Sequence, residues 1–434
     1  MIVNLEYRLK KSTLSRTESL ADSISQQLDE RVLRWYVSHA NTSEIVVQSI
    51  STDLDCPALP HSACHASGAN KVAAISLIPT GVGCEIGGYA GDAAPVTRLL
   101  GSAVDYLITN PNAVNASNFI SLPQNVLYTD GHTLDQFSQG KTHLHVPCQN
   151  RIGVIVEKSS PAVVDQIFNL INAVRAVHGV QVVDVVVTDE PIGGRCFLNE
   201  AGAFSGTVDN PHVLFAACER LIKNGATAIA VTSQIKDLPQ TDYSRHFEGK
   251  YPNPVGGVEA VISYLINRRY RIPAAHAPIQ NLNDLYLNEP VVDARSAGER
   301  ASQSGFACIL VGLNKSPHTC CGKGPFTETI SRDNILAVVA PADCLGGIPA
   351  LFFNSARVPI VAVRQNRTVM RASQDDLKLK NVFEVETYAE AAGLLLCLRN
   401  GISVESIYRP FATLRPSGME HTESMSMAAA LSLQ

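Results

Sequence analysis

Hydrophobic and polar positions along this chain follow two periods, and from Val72 onward the two periods alternate. Short apolar runs at Arg151 to Glu157, Val180 to Thr188, Ala226 to Val231, Ile335 to Ala340 and Val358 to Val363 have the length and continuity of strands buried on both faces. Between them lie stretches with helical spacing, from Ser160-Pro161 to about Gly179, from Pro211 to Asn224 and from Thr387 to Arg399. Strand, helix, strand order predicts an α/β fold: parallel-rich sheets with covering helices and right-handed crossovers. Upstream, Glu44 to Ile50 reads as a strand and Ser19 to His39 as a helix. Downstream, Asp293 to Phe306 reads as a helix and Cys308 to Leu313 as a strand, while Asn115 to Thr142 carries turn signals and reads as an irregular connection.

Length divides this pattern further, because 434 residues exceed one ordinary core. The expected organisation is an N-terminal segment at 1–71, three α/β units at 72–150, 151–290 and 291–410, and a weakly ordered tail at 411–434.

The three units share a grammar. Each has a polar loop ending in Gly-Gly, a helical stretch, and an apolar run closing on a polar cluster with Asn. The loops carry Gly87-Gly88, Gly256-Gly257 and Gly346-Gly347, and the closing residues are Asn110 with Asn112, Asn281, and Arg364 with Asn366. This suggests a three-fold internal repeat of Gly-Gly loop, helix and strand. Glycine at a loop-to-helix junction lets backbone approach an anion or another segment closely, so these residues, together with Ser233 at a strand end, are candidate ligand-binding positions.

Charge narrows the partners. With 17% charged residues and a net charge of -5, the chain has no basic excess for nucleic acid, and no stretch approaches the ~20 apolar residues of a membrane span. Met1 to Lys11 lacks a signal-peptide core. The expectation is a soluble cytoplasmic protein that binds a small molecule, with homo-oligomer formation left open. No nucleotide cofactor is signalled: the GxxxxGK[ST] spacing is missing, and a GxGxxG reading from Gly81 fails at Ile86.

Two sets of side chains carry candidate chemistry. Cys84-Glu85 and Asp343-Cys344 stand beside Gly-Gly loops, where a helix N-terminus can lower a thiol pKa, and Asp189 and Glu190 follow a buried strand. Two facing thiols would suit two-base proton transfer; the opposing reading is small buried cysteines whose neighbouring carboxylates resist thiolate formation. The second set, His143, His145 and Cys148 with His318, Cys320 and Cys321, has ligand types suited to a divalent metal such as zinc, without zinc-finger spacing.

The runs PTGVGCEIGGYAGDAAPVTRLL, DYLITNPNAVNAS, VTDEPIGGRCF and VVAPADCLGGIPALFFNSARVP resemble a family from cyanobacteria and related photosynthetic lineages that is known as a domain of unknown function. The resemblance spans about Val72 to Arg409. It implies a bacterial, soluble, cytoplasmic protein and carries no reaction or substrate. The residues themselves point to an enzyme acting on a small polar or anionic metabolite among the Gly-Gly loops. A non-catalytic metabolite-sensing or assembly protein and a metal-dependent hydrolase are the alternatives.

Overall fold

A computed structural model describes residues 2–414 apart from 15–18, 30, 55–70, 111–113, 117–121, 237–239, 280–290, 303–304, 320–325 and 412; the side chains of 240–243 are likewise undescribed. The chain opens with β1 (Ile2–Lys10), α1 (Leu20–Ser25), β2 (Val32–Ala40) and β3 (Glu44–Thr52), then β4 (Ala73–Ser76), α2 (Ala94–Gly101), β5 (Tyr106–Thr109), β6 (Val126–Tyr128), α3 (Gly131–Ser138) and β7 (Leu144–Pro147). Next come β8 (Arg151–Val156), α4 (Pro161–His178), β9 (Gln181–Val187), β10 (Gly194–Leu198), β11 (Phe204–Val208), α5 (Pro211–Lys223), β12 (Ala228–Ser233), β13 (Ile235–Lys236), α6 (Gln240–Phe247), α7 (Gly256–Tyr270) and β14 (Ala274–Pro278). The remainder holds α8 (Ala297–Ala301), α9 (Gly305–Leu313), β15 (Phe326–Ile330), β16 (Ile335–Pro341), α10 (Ile348–Ser355), β17 (Ile360–Val363), α11 (Gln374–Leu377), β18 (Val382–Val385) and α12 (Tyr388–Arg399).

The expected α/β class with parallel-rich sheets is what forms. A six-stranded sheet runs β18-β17-β16-β4-β5-β6 with every described pairing parallel. A four-stranded parallel sheet runs β14-β12-β8-β9. Residues alternate between the faces of the larger sheet: Ile75, Ile108, Val338 and Ile360 pack with α10 and α3, while Ala74, Leu107, Val339 and Val361 pack with α2 and α12. Helices therefore cover both faces, as near-continuous apolar strands require. Among the described residues, the antiparallel strand pairs are β1-β3-β2, the β10-β11 hairpin and β7-β15, with isolated antiparallel bridges at Tyr36 with Gly347 and His145 with His318.

The first and third sequence units build one sheet together, since β4, β5 and β6 sit beside β16, β17 and β18. Chain order runs outward from β4 in one direction and from β16 in the other. The reversal lies between β4 and β16, the place where such sheets leave a crevice beyond their carboxyl ends.

The loop, helix, strand grammar is realised in each copy as a parallel crossover: β4-α2-β5, β12-α7-β14 and β16-α10-β17. The repeat goes no further than this shared connectivity. Gly256-Gly257 opens α7 and Gly347 is the N-cap of α10, but Gly87-Gly88 lies upstream of α2 in an irregular loop.

Three expectations about elements are corrected. The helix expected over Ser19 to His39 is only α1, because Leu33, Trp35 and Val37 alternate inward as strand β2. The strand expected at Cys308 to Leu313 belongs to helix α9, an all-apolar segment whose periodicity cannot separate buried helix from buried strand. Within Asn115 to Thr142 lie β6 and α3, the latter capped by Asp130 through a 2.9 Å hydrogen bond from Thr133 N.

Candidate functional site

The carboxyl edge of the six-stranded sheet faces helix α7 and strand β14 across a cavity of about 220 Å³. Leu77 to Val82 follow β4, Asn110 follows β5, Asp130 follows β6 and Cys344 follows β16, so four strand ends supply one wall. Gly256, Gly257 and Glu259 from α7, His276 from β14 and Arg34 with Tyr36 from β2 supply much of the remainder. Two glycine loops, those of Gly256-Gly257 and Gly346-Gly347, thus converge here. The first does not: Gly88 lines a neighbouring cavity of about 180 Å³ with Cys84, Glu85, Tyr89, His246 and Arg295.

Close backbone approach explains the converging glycines. A Cβ on Gly257 would stand 2.5 Å from Phe204 O, and one on Gly346 would stand 2.3 Å from Val37 O. Each position brings its helix start against a strand of a different sheet.

On the α7 side, a polar line runs inward. Glu259 Oε1 is 3.7 Å from His276 Nδ1, and His276 Nε2 is 2.8 Å from Ser233 Oγ. The His276 side chain is fully buried, and its Nδ1 makes no hydrogen bond among the described residues. Burial pushes the Glu259 carboxyl pKa above the usual carboxylate value, against the opposing pull of His276.

On the α3 side, Tyr264 donates a 2.6 Å hydrogen bond to Asp135 Oδ2, and Arg34 Nε stands 3.8 Å from the same oxygen. Burial pushes the pKa values of Asp130 and Asp135 up to about 6 each. Asp130 is fully engaged in holding α3: it accepts from Thr133 N and Oγ1 and from Asn267 Nδ2.

The predicted site residues divide accordingly. Cys344, Asn110, Gly256, Gly257 and Gly347 line the main cavity. Cys84 lines the smaller one, so the two thiols do not share a pocket, contrary to the two-thiol expectation. Burial is the main reason that the Cys84 thiol pKa is raised and that of Cys344 is pushed up to about 12; nearby carboxylates add to both. Glu85 pairs with Arg295 at 2.5 Å on the surface, and Asp343 accepts from Thr368 N at 2.8 Å and Thr368 Oγ1 at 2.9 Å, which fixes its loop.

Asp189 and Glu190 are exposed and line neither cavity. Their edge of the four-stranded sheet is filled instead by buried Glu157, which accepts from Ile192 N at 2.6 Å, Gly193 N at 3.3 Å and Gln234 N at 3.1 Å. Arg364 forms an exposed ion pair with Glu384. Asn366 clamps the first glycine loop, accepting from Ile86 N and donating to Ile86 O at 2.9 Å each. In that loop, Asp92 accepts the Gly87 and Tyr89 amides, and burial pushes its pKa up to about 7.

For the metal set, the structure pairs His145 with His318 through a backbone bridge, but each ring already has a neutral partner. His145 Nδ1 is 3.0 Å from Thr329 Oγ1 and His318 Nε2 is 2.6 Å from Asn150 Oδ1. Cys148 is exposed, and His143 is half-buried with its Nδ1 unpartnered among the described residues. No group of three or more His, Cys, Asp or Glu side chains placed to hold a metal occurs among the described residues. Cys320, Cys321, Asn112 and Asn281 lie outside the described residues.

Residues 73–408 match DUF3326, a family described as a protein of unknown function. The chain belongs to that family. An uncharacterised lipoprotein of Synechococcus sp. is 35% identical over 335 residues, covering 76% of this chain and 92% of its own length. The cyanobacterial resemblance is therefore shown. The expected cytoplasmic location does not stand, because that relative is named a lipoprotein. Among the described residues no helix is long and apolar enough to cross a membrane. No solved structure matches this DUF3326 chain.

Sequence reasoning missed Glu259, His276, Arg34 and Asp135. Two of them carried a signal: Glu259 stands in the first helical turn after Gly256-Gly257, and His276 interrupts an otherwise apolar strand.

Proposed function

We propose that the chain is an enzyme that transfers a proton on a small polar metabolite held in the main cavity, with Glu259 as the acid–base group and His276 as its proton partner. The observation that carries this reading is the Glu259, His276, Ser233 line opening on the cavity where strand order reverses. A buried carboxyl with a raised pKa is a better-matched base near neutral pH than an exposed one. The neighbouring imidazole gives its proton somewhere to go. With the Ser233 hydroxyl donating to Nε2, Nδ1 carries a hydrogen toward a Glu259 carboxylate; with Nε2–H donating to Ser233, Nδ1 is an acceptor for a protonated Glu259.

The same line resembles a nucleophilic triad in residue types, but the Ser233 and His276 side chains are both fully buried, and of the three only the Glu259 side chain keeps exposure toward the cavity. A reacting atom in the cavity would meet the Glu259 carboxyl with the imidazole behind it and the serine further back, which favours proton transfer over acyl transfer. The lipoprotein name of the Synechococcus relative would put this chemistry at a membrane surface.

The test is deuterium wash-in. Full-length protein incubated with pooled small metabolites in deuterated water should label at least one of them, read by mass spectrometry, and Glu259→Gln should abolish the label while melting near the wild-type temperature. A metabolite that shifts the melting temperature with no wash-in or conversion would support the sensing alternative instead.

A further inference from the structure

We infer that the ligand of the main cavity is a small monocarboxylic acid with an apolar body, its carboxylate held by Arg34. The inference deepens the proton-transfer reading and rests on the same cavity. Its first support is the state of the guanidinium. The Arg34 guanidinium makes no hydrogen bond among the described residues; its nearest carboxylate oxygen, Asp135 Oδ2, is 3.8 Å from Nε and already accepts the Tyr264 hydroxyl at 2.6 Å. An arginine that pairs with a carboxylate does so at about 2.7–2.9 Å and commonly through two nitrogens. This one is held from behind, with its Cζ 5.2 Å from the Tyr264 ring centroid, and its side chain keeps 32% exposure while lining the cavity. The fork is placed and unspent.

The second support is the helix ends. Helices α3, α7 and α10 all present their first residues to the cavity, through Gly131, Gly256 with Gly257, and Gly347. The α3 end is already capped by the Asp130 carboxylate, whereas α7 and α10 have no side-chain cap. A helix start without a side-chain cap favours an anion, and α7 offers more N–H groups than α10, which carries Pro349 in its first turn.

Charge count and lining choose the class. Arg34 is the one lysine or arginine among the described residues that line the cavity, and Asp130, Asp135 and Glu259 share the space, so a dianionic phosphate would meet too little positive charge. Much of the remaining wall is apolar, with Leu77, Ile78, Val82, Phe204, Pro349 and Met370. A single carboxylate on a hydrocarbon body matches both.

The experiment compares each acid with its neutral isostere on the full chain. Isovalerate, hexanoate and phenylacetate are titrated beside their primary amides, with inorganic phosphate as the competing anion, by calorimetry and thermal shift. At least one acid should bind tenfold or more tighter than its amide and tighter than phosphate. Arg34→Gln should bring that acid down to the affinity of its amide, and Arg34→Lys should recover only part of it. No acid preference in any pair, or phosphate binding above every acid, overturns the inference; both are read on wild-type protein and do not depend on a variant folding. Acid preference without deuterium wash-in for any metabolite defeats the proton-transfer reading alone, and wash-in without acid preference defeats this inference alone.

Discussion

Ser233 Oγ lies 2.8 Å from His276 Nε2 across neighbouring strands β12 and β14. Both side chains are buried, and of the two only the histidine is a residue of the cavity wall. The serine therefore orients the ring, which in turn aims Nδ1 at Glu259. A hydrogen bond that fixes one nitrogen of an imidazole sets what the other can do.

This order of roles separates two substitutions. Glu259→Gln should lower proton-transfer turnover by about 100-fold or more, the usual scale for a lost acid–base group. Ser233→Ala leaves Glu259 in place and frees the ring, so its activity loss should be smaller, while stability falls by about 1–3 kcal/mol because a buried nitrogen loses its partner. Steady-state kinetics with urea unfolding reads both. A Ser233→Ala loss as large as that of Glu259→Gln, with unchanged stability, would point to a nucleophilic serine.

The glycines give a prediction about folding alone. Gly346→Ala sets a methyl group 2.3 Å from Val37 O and Gly257→Ala sets one 2.5 Å from Phe204 O, both against backbone that cannot rotate away. Each should cost about 1–3 kcal/mol or more. Gly347→Ala is the control, with nothing nearer than Pro349 Cδ at 3.8 Å. If all three alanine variants melt together, close approach is not why these glycines are needed.

The thiols should differ in reactivity. Cys148 is exposed, whereas Cys84 is buried and Cys344 has its pKa pushed up to about 12 by burial and Asp343. Brief alkylation of native protein at pH 8, mapped by mass spectrometry, should label Cys148 well before Cys84 or Cys344. Rapid labelling of Cys344 would mean a thiolate is present and would restore it as a catalytic candidate.

The parallel core was legible because its strands are uninterrupted apolar runs and its helices are bounded by residues such as Ser160-Pro161 and Thr387. The glycine loops were legible as places, and two of three do meet at the cavity. What pairing they serve was not, because contacts such as Gly346 with Val37 or Ile86 with Asn366 join segments about 280 to 310 residues apart. The same distance hid Arg34, which reaches the cavity from a strand whose alternation was masked by helix-compatible neighbours. Asp189 and Glu190 misled because their sheet edge is filled by Glu157, and only three-dimensional structure shows which acid on an edge turns inward.

Asp135 supplies the pH prediction. Burial outweighs Arg34 and Tyr264 and raises its pKa from 3.8 to about 6 in the fold. The native state thus keeps a proton between those values that the unfolded chain has released, so the stabilisation is full below about pH 4 and is lost as pH rises through about 6. A shift of that size corresponds to roughly 3 kcal/mol. Asp130 titrates in the same direction, so part of the decline belongs to it. Asp135→Asn keeps a carbonyl to accept from Tyr264 while removing the charge that must form in the interior. Urea unfolding at pH 4.5 and 7.5 should therefore show wild-type protein losing stability across the interval and the variant losing less. Equal losses in the two proteins would mean that Asp135 ionises in the fold as readily as in the unfolded chain, with Arg34 serving as its counter-ion and not as a free fork for a ligand.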